Sequence, residues 1–121
     1  KQYRYPIKQV VLELPAGKID KNENPVDCVK RELEEEIGYQ SKKIQFLTDI
    51  HPAVGFANEK ISIFMAEELI KTKIKLDQDE FLILAPTCLK TAVDMIWNGE
   101  ITDVKTIIGL LWAKKILSKR I

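Results

Sequence analysis

The chain has 121 residues, enough for one domain built on a single apolar core. Lys and Arg number 19 against 18 for Asp and Glu, so a formal charge of +1 supplies no bulk field that would select a nucleic acid. The longest apolar run, IIGLLWA, is far too short to cross a bilayer, and no secretory signal precedes it. The lysines are scattered, and LWAKKILSKRI reads as a helix with a solvated basic face. Cys28 and Cys88 lie in no metal-spaced motif and read as buried thiols rather than a disulfide. A soluble, cytoplasmic protein without nucleic-acid or membrane partners is therefore expected. The chain opens at Lys1 with no initiator Met, so a piece of a longer protein is also expected.

KQVVLELP, residues 8–15, is β-branched, rich in leucine and closed by Pro15, which predicts a strand. PAGKIDKNEN is a loop of Gly, Pro and Asn. A helix then starts with Asn24 as N-cap, Pro25 in the first helical position and Asp27 in the first turn, and Gly38 fits the position just past its end. Residues 44–50 and 60–69 read as strands separated by the loop HPAVGFANE, and IKTKIKLDQDE reads as a polar loop. FLILA, residues 81–85, predicts a short buried strand. Residues 86–100 predict a helix with Gly99 near its end, and a last helix follows, capped by Thr102 or Asp103. Alternating strands and helices indicate a mixed α/β layered structure.

At about 100° per residue, Val26, Val29, Leu33 and Ile37 form one stripe that must face a core. Glu32, Glu35 and Glu36 gather on a separate arc, spaced as i, i+3 and i+4. Like charges at that spacing destabilise a helix, and negative charge in its last turns opposes the helix dipole. A solvated charge run is the bland reading. A hard divalent cation is the sharper one, because magnesium takes carboxylate and phosphate oxygens and activates water.

The loop before the helix separates these readings. Gly17, Glu23, Arg31, Glu32, Glu35, Glu36 and Gly38 stand at the seven fixed positions of G-x5-E-x7-R-E-U-x-E-E-x-G-U, where U is a bulky apolar residue. A chance match at one starting position is on the order of 10⁻⁸ when each type makes up about 5–10% of residues. The stretch resembles the Nudix hydrolase signature; Tyr39 in the last U position is a mild departure. The resemblance implies one domain over residues 1–121 with the Nudix fold, an α/β (α+β) arrangement in which a mixed β-sheet lies between helices, here without its N-terminal portion. It further implies metal binding by Glu32, Glu35, Glu36 and the Ala16 carbonyl, with magnesium or manganese as the ion. Gly17, Glu23, Arg31 and Gly38 take structural roles, Glu23 and Arg31 as an ion pair fixing loop to helix.

The flanks extend the resemblance. QYRY with ELPAGKI, then GFANE, DQDEF and DVKT, are similar to stretches of ADP-ribose pyrophosphatases. This implies Mg²⁺-dependent hydrolysis of a nucleoside diphosphate-sugar, ADP-ribose going to AMP and ribose 5-phosphate, by a homodimer. Arg4, Glu13, Gly55 and Glu59 are the implied substrate contacts; Glu35, Glu36 and a loop glutamate, Glu80, are the implied catalytic groups. His51 and Val54 replace the aromatic residue and second proline of the family's aromatic-Pro-Ser-Pro-Gly loop, so the moiety attached to the nucleotide stays open. Alternatives are another nucleotide substrate, or a Nudix-fold sensor that binds without cleaving. The intact set of carboxylates favours an enzyme.

Overall fold

Backbone groups that find partners outside a ladder end the first strands early. The structure is a computed structural model that describes residues 1–73 and 82–120. β1 (Gln2–Arg4) pairs antiparallel with β2 (Gln9–Val11), Gln2 opposite Val11 and Arg4 opposite Gln9. Between them a 3₁₀ turn, Tyr5–Ile7, contains Pro6, and Lys8 at φ 52° reverses the chain. The expected strand over residues 8–15 thus shrinks to three residues. One cause is visible at its end, where the Leu14 N–H donates to Thr106 Oγ1 at 3.0 Å instead of to a neighbouring strand.

The chain forms two compact units, one of Lys1–Leu14, Leu47–Ile63 and Ile83–Ile121, the other of Pro15–Phe46 and Phe64–Leu82. In the first, α2 (Leu89–Trp97) packs on α3 (Val104–Ser118). Asp103, rather than Thr102, caps α3 by accepting from the Thr106 N–H. The core of this unit includes Val11, Ile63, Ala92, Val93 and Ile101, with Thr106 its buried polar member. Gly109 brings α3 close to the chain before it, since a Cβ there would stand 2.5 Å from Leu14 Cδ1. Two expectations are corrected here. Residues 82–85 form no regular strand and Ile83 is 68% exposed, because its only backbone pairing given is with Lys1: the terminal ammonium donates to Ile83 O at 2.7 Å and the Ile83 N–H to Lys1 O at 3.1 Å. Phe81 lies outside the described residues. Cys88 is exposed rather than buried, since it sits at the start of α2; both cysteines are free thiols.

In the second unit the expected helix changes character midway. α1 (Pro25–Glu32) is α-helical, but Leu33–Ile37 is a π-helical turn, closed where the Gly38 N–H reaches the carbonyls of Leu33 and Glu34. The wider turn replaces the uniform 3.6-residue period on which the apolar stripe was drawn. Leu33 is buried as expected, whereas Val26 is 40% exposed and Cys28 takes an inward place. Gly38, at φ 71°, ends the turn in the left-handed region and hands the chain to β3 (Tyr39–Ile50), which runs beside β4 (Ile61–Lys71). The Thr72 N–H donates to Gly38 O and the Ser41 hydroxyl to Glu67 O, while Ser62 donates to Asp49; partners that descend as their mates ascend make the pair antiparallel. Phe46 and Phe64 meet edge to face at 5.5 Å. No helix among the described residues is long and apolar enough to cross a membrane.

Gly38→Ala puts a Cβ into a left-handed backbone and is expected to lower unfolding free energy by about 1 kcal/mol. Urea unfolding of the variant beside the parent checks it; an unchanged midpoint would contradict the role given to Gly38.

Candidate active site

Asn24 sets the register of the site. Its Oδ1 accepts the Asp27 N–H at 2.9 Å and its amide donates to Asp27 Oδ2 at 2.8 Å, while Pro25 opens the helix. Two turns later Arg31 reaches back to the loop. Its Nε and Nη2 grip Glu23 at 2.9 and 3.0 Å, and Nη2 also donates to the Lys18 carbonyl at 2.9 Å. Asp20 approaches Nε at 3.3 Å, and its own N–H donates to Glu23 Oε1. The expected ion pair of Glu23 with Arg31 is present in bidentate form, the strong geometry for a guanidinium and a carboxylate.

The same guanidinium also faces the acids of the helix. Nη1 donates to Glu32 Oε1 at 2.8 Å and to Glu35 Oε2 at 3.1 Å. Glu36 turns elsewhere and accepts the Ala16 N–H at 3.0 Å. Glu34 accepts from the Gln40 amide, so it has a partner besides solvent. Gly17 leaves room for Glu32: a Cβ there would fall 1.9 Å from Glu32 Oε1, which no side chain tolerates without moving the carboxylate. Hydrogen bonds from Arg31, then from the Asp20 backbone, hold the Glu23 carboxyl down at about 2, and the Glu23 bond raises Arg31 still further above its ordinary value. Burial pushes the Cys28 thiol up; its Sγ donates to the Lys18 carbonyl.

As they stand, no three His, Cys, Asp or Glu side chains among the described residues converge into a group that could hold an ion. The physical reason is that Arg31 and the Ala16 N–H draw the three glutamates to separate donors. The residues nevertheless fit a hard cation. A single nitrogen of Arg31 reaches both Glu32 and Glu35, so those carboxylates already meet at one positive point, and every donor in the set is oxygen.

The other expected site residues lie apart in the chain. Arg4 donates to both oxygens of Glu13, Nε to Oε2 at 2.6 Å and Nη2 to Oε1 at 2.7 Å. Gly55 and Glu59 are exposed in the loop between β3 and β4, and a Cβ at Gly55 would meet nothing within 4 Å. Glu80 lies outside the described residues. Sequence reasoning missed Lys105, whose Nζ bridges Glu13 Oε1 at 2.7 Å and Asp103 Oδ2 at 2.9 Å. The available signal was a cation in the first turn of a helix, where the dipole disfavours it. Burial pushes the Glu13 carboxyl up, but the bonds from Arg4 and Lys105 prevail and hold it at about 2.

The NUDIX domain model matches residues 1–100, and the chain belongs to that family. It is 41% identical over 112 residues to an ADP-ribose pyrophosphatase of Bacillus subtilis, covering 91% of this chain and 60% of the relative. A methanol dehydrogenase activator of Bacillus methanolicus is 39% identical, covering 90% and 60%. A GDP-mannose pyrophosphatase of Yersinia enterocolitica is 35% identical, covering 87% and 56%. The chain therefore spans about 60% of the length of the first curated relatives it matches. A solved ADP compounds hydrolase superimposes with a TM-score of 0.88 at 22% identity, over 98% of this chain and 64% of that one, which establishes the fold.

Glu23 and Glu13 both carry folded-state values lowered from 4.5 to about 2. Between those values the unfolded chain binds more protons, so stability rises with pH. The contribution is complete above pH 4.5 and is lost as pH falls toward 2. Urea unfolding at intervals over that range is expected to show a shallower pH slope in Glu23→Gln than in the parent; equal slopes would remove Glu23 from the titration.

Proposed function

We propose that the protein hydrolyses the pyrophosphate bond of a nucleoside diphosphate-sugar, with ADP-ribose the favoured substrate and AMP and ribose 5-phosphate the products. The observation that carries this is the Arg31 clamp, which holds the loop carboxylate Glu23 and the helix carboxylates Glu32 and Glu35 around one guanidinium. The family membership and the 41% identity to an ADP-ribose pyrophosphatase support it, and the 35% identity to a GDP-mannose pyrophosphatase makes the sugar the open variable.

Glu32, Glu35, Glu36 and the Ala16 carbonyl would hold the cation, magnesium or manganese by their all-oxygen chemistry. When bound, it would screen the phosphates and make water a better nucleophile. The chain's own residues supply order. Arg31 keeps Glu32 and Glu35 within one cationic reach, and the Ala16 N–H keeps Glu36 tied to the loop. Water attacks one phosphorus, the bond from that phosphorus to the bridging oxygen breaks, and the leaving phosphate carries the bridging oxygen away. Arg4 offers a guanidinium suited to two phosphate oxygens, steadied by Glu13. A base role for Glu80 rests on the resemblance alone, as do the homodimer and the cytoplasmic setting. The similarity to a methanol dehydrogenase activator favours a second reading, action in support of another protein.

Offering ADP-ribose, GDP-mannose and nucleoside triphosphates with Mg²⁺ and following the products separates these readings. ADP-ribose is expected to turn over fastest. Glu36→Gln is expected to lower kcat on the order of 100-fold, the loss of about 2.7 kcal/mol of barrier lowering. Binding without turnover by the parent would move the protein to the sensor class, and undiminished turnover in Glu36→Gln would remove that residue from the metal set.

A further inference from the structure

Lys105 is placed where an ordinary lysine would not be. It lies in the first turn of α3, against the helix dipole, and its side chain is only 12% exposed. Removing an ammonium from water is unfavourable unless carboxylates replace the water. Two do, Glu13 at 2.7 Å and Asp103 at 2.9 Å. Asp103 Oδ2 in turn accepts from the Thr106 N–H at 3.2 Å and the Thr106 hydroxyl at 2.7 Å. Thr106 Oγ1 accepts the N–H of Leu14, the residue after Glu13. The bonds therefore close a ring that runs from Glu13 through Lys105, Asp103 and Thr106 to Leu14 and back along one peptide. Gly109 seats Leu14 against the same helix.

Arg4 is the member of this network that faces solvent. Its side chain is 45% exposed, against 8% for Glu13, 12% for Lys105 and 22% for Asp103. Two cations share the Glu13 charge, and the four ionised groups sum to zero. Glu13 therefore fixes the direction of the Arg4 guanidinium without fully cancelling its charge, which leaves Arg4 able to attract an anion. We propose that Lys105 is a positioning residue for the phosphates of the substrate: acting through Glu13, it holds the Arg4 guanidinium in the orientation that receives them. This rests on the reading of the protein as a nucleoside diphosphate-sugar hydrolase.

The test uses the purified protein with Lys105→Met, Lys105→Arg, Glu13→Gln and the double variant Glu13→Gln/Lys105→Met. KM and kcat are measured for ADP-ribose with Mg²⁺, and the Arg4 Nε–H resonance is followed by NMR without substrate. Lys105→Met is expected to raise KM about tenfold with kcat changed less than about twofold, the mark of lost binding rather than lost chemistry. The Arg4 resonance should shift, and Lys105→Arg should restore both readouts toward the parent. The double variant should be no worse than Glu13→Gln alone, because the two act on one path. If Lys105→Met gives no cooperative unfolding transition, Lys105→Gln, which keeps a donor without the charge, replaces it with the same expectations. An unmoved Arg4 resonance, or additive losses in the double variant, would overturn the proposal. If the parent turns over no nucleoside diphosphate-sugar while the resonance still shifts in Lys105→Met, the clamp on Arg4 stands; the substrate reading and the phosphate role built on it both fall.

Discussion

Arg31 is the side chain on which the candidate site depends. One guanidinium joins the loop, through Glu23 and the Lys18 carbonyl, to the helix acids, through Glu32 and Glu35. A planar cation with five donors in a fixed fork suits this task, and a lysine could not satisfy so many directions at once. The side chain is 27% exposed and Glu23 15%, so the cluster is partly shielded from water and salt. Isolated surface ion pairs contribute little, but a partly buried bidentate pair tied into a network fixes geometry as well as adding stability.

That geometry explains why so many acids coexist on one short helix. Their mutual repulsion is relieved by one shared cation and one backbone N–H, so the acids need no cation from outside to stay folded. The π-helical turn adds a second contribution by widening the helix where Glu34, Glu35 and Glu36 sit. Such turns are uncommon and recur at functional sites. Gly17 and Gly38 complete the frame, one by leaving space beside Glu32 and the other by turning the chain at φ 71°.

The first unit repeats the same solution with different residues. Glu13 is held between Arg4 and Lys105, as Glu23 is held by Arg31, and each carboxyl is depressed to about 2. In both places a carboxylate with saturated oxygens acts as a strut. Struts of this kind are costly to break and modest in net stability, so their value lies in orientation.

The residue spacing from Gly17 to Gly38 determined the family, the loop–helix pairing of Glu23 with Arg31, and the acids available to a cation. Local rules sufficed for the caps at Asn24 and Asp103, because a capping side chain bonds to its own next turn. The tertiary structure alone decided the rest. Where β2 stops depends on a threonine 92 positions away in the chain. The burial of Cys28 rather than Val26 depends on how the helix seats against its surroundings. Lys105 became visible only when Glu13 and Asp103 were brought around it. Spacing along a chain encodes contacts within a few turns; contacts between distant segments depend on packing, which no local periodicity records.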